Sequence, residues 1–163
     1  MILLVAGCAA PAPVAPPAQT VFRTAGAPFA SSTRFDAARM AGDWRVVAAF
    51  AAAPGRLPGV TLRLAQAPGG MDVTQGGWML PAGRYAVTGP GRLVRAPSAG
   101  VSGPELWVIW VDDDFRTAVL GSPDGRLGWI MDRGRISADR LRAARDILGW
   151  QGYDLTRLRA VAD

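Results

Sequence analysis

Histidine and lysine are absent from this 163-residue chain, and cysteine occurs once, as Cys8. Without histidine there is no Ser-His-Asp triad, no imidazole general base and none of the usual histidine-bearing zinc or iron sites. Beyond Cys8 there is no thiol to act as a nucleophile or to form a disulfide, so stability has to come from apolar burial and backbone hydrogen bonds. These absences predict a protein that is not an enzyme and that uses no cofactor and no metal ion.

All of the basic charge comes from arginine. The chain has 18 basic and 13 acidic residues, which gives a formal net charge of +5. A nucleic-acid surface requires basic side chains gathered on one face with aromatic side chains between them. The arginines are instead spread along the chain, so we expect no nucleic-acid partner; they include Arg23, Arg45, Arg63, Arg92, Arg116, Arg140 and Arg159.

Near the N-terminus, Val5-Ala6-Gly7-Cys8 places small residues directly before the cysteine. This segment resembles the lipobox of bacterial lipoproteins, which implies acylation of Cys8 and attachment to a membrane. Met1 to Leu4 is shorter than the roughly 7–15 apolar residues of a signal core, so we expect residues 1–8 to be a truncated lipoprotein signal. The alternative is a fortuitous cysteine in a short apolar leader. Because Ala9, and not aspartate, follows the cysteine, the resemblance implies the periplasmic face of the outer membrane.

Residues 9–34 have the composition of a flexible tether. Pro11, Pro13, Pro16 and Pro17 alternate with alanine and valine, which favours extended polyproline geometry. We expect this tether to hold one domain, residues 35–163, away from the membrane. No other stretch has the ~20 uninterrupted apolar residues of a membrane-spanning helix.

From Phe35 onward the pattern consists of short runs, alternating or continuously apolar, each closed by Gly, Pro or Asp. Such runs are typical of a meandering antiparallel sheet. Eight strands joined to their neighbours predict an all-β fold, an up-and-down barrel that either fills with side chains or holds one small ligand. The runs are Trp44–Phe50, Val60–Gln66, Met71–Gln75, Arg84–Thr88, Arg92–Ala96, Leu106–Asp112, Phe115–Leu120 and Leu127–Arg133.

After Arg133 the period changes to that of a helix. Ser137 is a plausible N-cap, and Ile136 is placed to pack against Leu141 in a hydrophobic staple. Apolar residues then fall on one face until Gly149, where we expect the helix to end. The helix should pack outside the barrel, and Leu155 to Val161 could add a final strand.

Three segments carry a family resemblance. Gly42-Asp43-Trp44, preceded by a short turn from Phe35, resembles the Gly-x-Trp motif on the first strand of lipocalins. Val111 to Phe115 resembles their second motif, between the sixth and seventh strands, and Trp129 to Arg133 resembles the end of the eighth. The resemblance is to bacterial lipocalins of the apolipoprotein D type.

This resemblance implies structural roles for Gly42, Trp44, Asp112 and Arg133, with the arginine stacked on Trp44 to close one end of the barrel. Such a cation–π contact is worth about 0.5–2 kcal/mol. The interval from Trp44 to Trp107 is shorter than in that group, which implies a shallower cup or, in the extreme, a missing strand. Phe115 stands where the motif usually has tyrosine.

Inward positions of lipocalin strands line the ligand cup. By alternation from Trp44, the candidate ligand-binding residues are Val46, Ala48, Phe50, Val60, Leu62, Leu64, Tyr85 and Val87. Each of them is equally compatible with plain core filling. Trp107 and Trp110 are each able to face either the cavity or the helix. Arg63 or Arg84 could pair with a carboxylate or phosphate head group, although an exposed arginine is the commoner outcome.

Asp112, Asp113 and Asp114 raise the possibilities of a calcium site or of acid–base chemistry. Adjacent strand residues alternate between faces, however, so a polar hairpin turn explains them more simply.

The leading hypothesis for the function is a non-catalytic, membrane-anchored protein that binds a small hydrophobic ligand such as a fatty acid or lysophospholipid. The alternative is a collapsed barrel that binds a protein in the cell envelope. An open apolar cavity distinguishes the first from the second, and the sequence does not indicate the oligomeric state.

Overall fold

A computed structural model of the protein describes residues 20–97 and 103–163. Eight antiparallel strands form a closed barrel, in which each strand pairs with the next and β1 pairs with both β2 and β8. The strands are β1 (Gly42–Phe50), β2 (Thr61–Ala67), β3 (Gly70–Gln75), β4 (Gly83–Gly89), β5 (Arg92–Arg95), β6 (Glu105–Val111), β7 (Thr117–Gly121) and β8 (Gly128–Asp132). The other elements are the helices α1 (Ala37–Met40) and α2 (Ala138–Trp150), a 3₁₀ turn at Leu155–Arg157 and the short strand β9 (Leu158–Ala160).

The predicted eight-stranded barrel is confirmed, and the ends of each strand differ from the prediction by two residues or fewer. No strand of the barrel is missing. The middle of the chain is short because β2–β3 and β4–β5 are joined by two-residue turns, Pro68-Gly69 and Pro90-Gly91. Gly69 and Gly91 have φ values of +66° and +67°, which glycine adopts without steric cost.

Buried side chains form two clusters on opposite sides of the sheet. The inner cluster fills the barrel and contains Trp44, Tyr85 and Trp129 among its largest members. The outer cluster lies between the sheet and α2, where Ala144 and Leu148 of the helix pack with Ile109, Val119 and Ile130. The helix therefore packs outside the barrel, as predicted.

Strand β1 has three partners. Its first half pairs with β2 through Gly42 to Arg45, and its last three residues, Ala48 to Phe50, pair with β9. On its other edge it pairs with β8, with a shift of register between Val46 and Ala48. The final strand predicted within Leu155–Val161 is thus present but is limited to Leu158–Ala160, after a turn of 3₁₀ helix.

The two ends of the barrel differ. Helix α1, the tight turns and the β6–β7 turn lie at one end, which we call the closed end. The longer connections, residues 51–60, 76–82 and 122–127, lie at the other end together with residues 96–97 and 103–104, and we call this the open end.

Residues 20–34 run along the outside of the barrel. The amide of Phe22 donates to the carbonyl of Gly125 at 2.8 Å, and its side chain joins the outer cluster. Phe29 stacks on Trp107 with ring centres 4.9 Å apart. The folded domain therefore begins before the boundary expected at residue 34, because Phe22 is buried against the sheet and Phe29 is partly buried there. Residues 1–19, with the expected signal and much of the tether, lie outside the described residues.

Ser137 caps α2 as predicted, since its side chain accepts from the amide of Arg140. Ile136 and Leu141 both pack against the outer cluster. The helix does not end at Gly149. It continues to Trp150, and the positive φ of +85° that follows the helix is at Gly152. Within the described ranges, no helix has the length and apolar character needed to cross a membrane.

Candidate functional site

The barrel interior is the candidate binding site, and it is almost completely filled. The cavity at its centre has a volume of about 10 Å³ and an entirely apolar lining. A single water needs roughly 10–15 Å³, and pockets for small ligands occupy about 300–1,000 Å³. In this conformation the interior therefore has no room for a fatty acid.

Much of the filling at the open end comes from the loop between β3 and β4, residues 76–82. Leu80 is 2% exposed and lines the cavity, and Met79 is buried beside it. The loop is held by the amide of Leu80, which donates to the Gly76 carbonyl at 3.2 Å, and by the hydroxyl of Tyr85, which donates to the Pro81 carbonyl at 3.0 Å. We call residues 76–82 the plug loop.

Glycine is required at the start of the plug loop. A Cβ on Gly76 would collide with the carbonyl oxygen of Leu80. The loop can therefore turn back and place Leu80 in the interior only if residue 76 has no side chain. Burial also raises the pKa of Tyr85 to about 12, so its hydroxyl keeps the proton that it donates to Pro81.

Several sequence-predicted lining residues do face the interior. Leu62, Leu64 and Tyr85 line the cavity. Val46 and Val60 belong to the inner cluster, and Val87 is partly buried against it. That these residues contact a ligand remains a prediction.

Ala48 and Phe50 do not face the interior, so the expectation for these two is wrong. Both belong to the outer cluster, and Phe50 stacks on Tyr153 with ring centres 4.8 Å apart. The cause is the register shift after Val46, which reverses the alternation along β1. Ala49 takes the inward place instead.

Eight of the eleven residues that line the cavity were not predicted from the sequence. On β3, β5, β6 and β7 the inward side chains follow simple alternation, which could have identified them once the strands had been assigned. Leu80 and Met40 stand on a loop and a one-turn helix, where no periodicity applies. The residues missed are Met40, Met71, Val73, Leu80, Leu93, Leu106, Val108 and Leu120.

Four further side chains proposed from the sequence lie outside the cavity. Trp107 packs under the guanidinium of Arg92, and Trp110 packs against the outer cluster. Arg63 forms two hydrogen bonds with Asp43, at 2.6 and 2.9 Å, and Arg84 pairs with Asp72. The Arg63 guanidinium lowers the pKa of the Asp43 carboxyl by hydrogen bonding. Both arginines are therefore already paired with carboxylates of neighbouring strands.

Arg133 closes the opposite end of the barrel, as the resemblance implied. Its guanidinium carbon lies 4.1 Å from the centre of the Trp44 ring. The same group donates to the carbonyl oxygens of Phe115, Arg39 and Ala41. Burial lowers the pKa of Arg133 from its usual value. This end is thus sealed by one cation and the backbone around it.

The three consecutive aspartates form a turn at the closed end. Asp112 accepts hydrogen bonds from the amides of Arg116 and Thr117, at 2.7 and 3.0 Å. Asp113 points away and pairs with Arg34. Among residues 20–97 and 103–163 no three metal-ligating side chains are grouped closely enough to hold an ion.

A solvent-open groove of about 690 Å³ lies at the open end, directly outside the plug loop. It combines the exposed ring of Trp78 with polar groups of the β7–β8 connection. Its lining comprises Trp78, Met79, Pro81, Gly103, Pro104, Glu105, Ser122, Asp124, Arg126 and Leu127.

The same architecture occurs in solved structures of apocrustacyanins. Apocrustacyanin C1 superposes with a TM-score of 0.58 at 14% identity, and apocrustacyanin C2 with a TM-score of 0.53 at 12% identity. In both comparisons 77% of this chain and 78% of the other are covered. The chain has a lipocalin fold.

The family model that describes a lipocalin-like domain matches residues 92–163, from β5 to the C-terminus. This segment includes two of the three motifs on which the sequence resemblance rests. No curated protein matches the chain. The sequence likeness is therefore concentrated in the second half of the lipocalin fold, whereas the likeness of structure extends over most of the chain.

Proposed function

We propose that the protein binds a small hydrophobic molecule of the fatty-acid or lysophospholipid kind inside its barrel, without catalysing a reaction. Lipocalins are generally non-enzymatic proteins that bind such molecules. The observation that carries the proposal is the lining of the barrel centre, which is apolar on every side and is completed by a loop residue, Leu80. Such a wall has no polar group to satisfy and favours an apolar occupant.

Binding requires the plug loop to move, because the cavity of about 10 Å³ is far too small for the ligand. Leu80 is held by loop contacts and not by a strand ladder, so it can leave without breaking the sheet. Met40 and Met71, which also line the cavity, have unbranched side chains that adapt to irregular shapes. A ligand would then take the place that Leu80 occupies in the free protein.

The groove outside the plug loop suits the polar end of such a ligand. Arg126 lines this groove, and its side chain is half exposed, 3.5 Å from Asp124. Arg63 and Arg84 each form two hydrogen bonds with one carboxylate, which is the stronger bidentate arrangement, whereas Arg126 makes a longer contact and lies in the groove. Arg126 is therefore a better candidate for a head-group contact than Arg63 or Arg84.

We further propose that Cys8 carries lipid and attaches the protein to a bacterial envelope membrane. The support is the segment Val5-Ala6-Gly7-Cys8 and the proline-rich stretch that follows it. Expression of the chain in a bacterial host behind a complete lipoprotein signal core, with Cys8 intact or as C8S, tests this directly. Intact-mass measurement should show acylation in the first and none in the second, and detergent phase partition should separate them.

A second candidate function is favoured by the filled interior. A barrel whose core is already packed needs no ligand and is suited to binding a protein partner through its surface. This alternative predicts that apolar ligands do not bind even after the plug is shortened.

The deciding experiment is a titration of the delipidated full chain, with C8S to avoid acylation, and of its L80A variant with palmitate and palmitoyl-lysophosphatidylcholine. Tryptophan fluorescence reports on the interior because Trp44 and Trp129 belong to the inner cluster. Native mass spectrometry gives the stoichiometry. We expect one-to-one saturable binding, and a higher affinity for L80A because the competing side chain is removed.

L148A is the matched control. Leu148, like Leu80, is almost fully buried, but it lies in the outer cluster beneath α2. Both variants should lose about 2–5 kcal/mol of unfolding free energy. Only L80A should change ligand affinity. Absence of binding by folded wild-type and folded L80A proteins would instead support the protein-binding barrel.

A further inference from the structure

Three large apolar side chains of the described residues are exposed, and the segments that carry them lie at or beside one end of the molecule. Trp78 is 50% exposed, Val21 is 53% exposed and Trp150 is 75% exposed. Trp78 stands on the plug loop at the open end. The positions of Val21 and Trp150 follow from the contacts of the residues next to them.

The residue next to Val21 is Phe22, and the residue next to Trp150 is Gln151. Phe22 is joined to the β7–β8 connection at the open end directly, and Gln151 is joined to it through Arg23. Phe22, which follows Val21, donates its amide to the Gly125 carbonyl. Arg23 donates from one guanidinium to the carbonyls of Gln151, at 2.6 Å, and Pro123, at 3.3 Å. Gln151 directly follows Trp150, so the end of α2 lies beside the same connection. Trp78 and Val21 therefore lie at the open end, and the last turn of α2, which carries Trp150, lies beside it on the outside of the barrel.

The chain also joins the fold at this end. Thr20 is the first described residue, and it lies two positions before the Phe22–Gly125 hydrogen bond. Eleven residues lie between Cys8 and Thr20, so twelve Cα–Cα steps join them. At ~3.3–3.6 Å per residue, that connection spans at most about 40 Å in any conformation. An anchor at Cys8 would thus join the fold at its open end, and a tether of this reach allows that end to contact the membrane.

We propose that the open end of the barrel rests on a lipid bilayer, with Trp78 in the interfacial region and Val21 and Trp150 beside it. Tryptophan is the side chain that prefers the boundary between head groups and acyl chains. The proposal rests on the membrane attachment proposed above. It places the plug loop against the bilayer, so that an apolar ligand passes from lipid to barrel without crossing bulk water.

The orientation can be measured on the acylated full chain reconstituted in vesicles of phosphatidylcholine and phosphatidylglycerol. Acylation blocks the thiol of Cys8, the only cysteine, so R126C and D113C each provide one labelling site, at the open and closed ends. With an environment-sensitive fluorophore at each, we expect R126C to be shielded from aqueous iodide and quenched by lipid-borne spin labels, and D113C to show the opposite.

A second measurement separates docking from anchoring. Unlipidated C8S protein should bind the same vesicles weakly, and W78A should lower its partition coefficient by about tenfold through loss of apolar burial. W110A is the control, since Trp110 packs against the outer cluster and does not line the groove.

Equal quenching of R126C and D113C on acylated protein would overturn the orientation while leaving the anchor intact. Absence of lipid on Cys8 would instead remove the anchor, and the C8S partition would still report on Trp78. Vesicle binding unaffected by W78A, or a W78A effect on self-association alone, would count against a lipid surface.

Discussion

Arg133 covers Trp44, with the guanidinium carbon 4.1 Å from the ring centre, and at the same time binds the backbone at Phe115, Arg39 and Ala41. The indole N–H of Trp44 donates to the carbonyl of Met40 at 2.8 Å. Helix α1 is thus fastened to the barrel by two side chains that also contact each other.

Replacement of Arg133 should destabilise the fold markedly. R133M keeps an unbranched apolar stem but removes the guanidinium from three carbonyl acceptors and from the ring. We expect a loss of about 3 kcal/mol in unfolding free energy, because hydrogen bonds to charged groups contribute about 1.5–3 kcal/mol each and are not additive. Urea unfolding measures it. R133K, which retains the charge without the planar fork, should recover less than half of the loss; full recovery would show that charge alone suffices.

Gly42 should tolerate no side chain, for two separable reasons. Its φ is +113°, and a Cβ there would lie 2.7 Å from Nη1 of Arg133. Gly55 has a similar φ of +108° but open space around it. We expect G55A to cost about 1–2 kcal/mol from backbone strain alone, and G42A to cost more.

The excess cost of G42A should disappear when Arg133 is replaced. In an R133M background, G42A and G55A should destabilise the protein equally, because the close contact no longer exists. Chemical denaturation of the wild type, R133M, and the G42A and G55A variants in both backgrounds completes the cycle. An unchanged excess would show that the cost arises elsewhere.

The hydroxyl of Thr117 should stabilise a buried carboxylate. Its Oγ1 donates to Oδ2 of Asp132 at 2.6 Å, and both side chains are fully buried. T117V preserves shape but leaves Asp132 without this donor, so we expect a loss of about 1–3 kcal/mol in thermal or urea unfolding. T117S keeps the donor and loses only a methyl group, so it should cost about 1 kcal/mol or less. Equal effects of the two would assign the role to packing.

Stability should fall at alkaline pH because of the two tyrosines. Burial raises the pKa of Tyr85 to about 12 and raises that of Tyr153 well above its usual value. Unfolded tyrosine loses its proton near pH 10, before the folded form does, so unfolding becomes more favourable as pH rises from 10 towards 12. The chain has no lysine to titrate in this window.

Tyrosinate absorbance and urea unfolding at several pH values measure this effect. Y85F should reduce the slope of stability against pH, whatever its effect on stability at neutral pH. Titration of both tyrosines near pH 10 in the folded protein would contradict the expectation.

Alternation and turn chemistry were sufficient to predict the eight strands, since each run is bounded by Gly, Pro or Asp. The pairing of Trp44 with Arg133 also followed from the motif resemblance. Parity along β1 failed at Ala48 because a one-residue irregularity in the ladder leaves no trace in hydrophobic alternation. The role of Leu80 was not predictable, since it depends on a loop that folds back into the barrel. The volume of the cavity depends on both features, the irregularity in β1 and the loop that carries Leu80.

The pairing of β1 with three other strands also constrains the order in which the barrel can fold during synthesis. This strand is synthesised first, yet its partners β8 and β9 lie among the last 36 residues, at 128–132 and 158–160. Until those residues emerge, one edge of β1 has no ladder to join. Contacts so distant in sequence slow folding. The barrel therefore cannot close until most of the chain has been synthesised, and until then the backbone N–H and C=O groups on that edge of β1 have no strand to pair with.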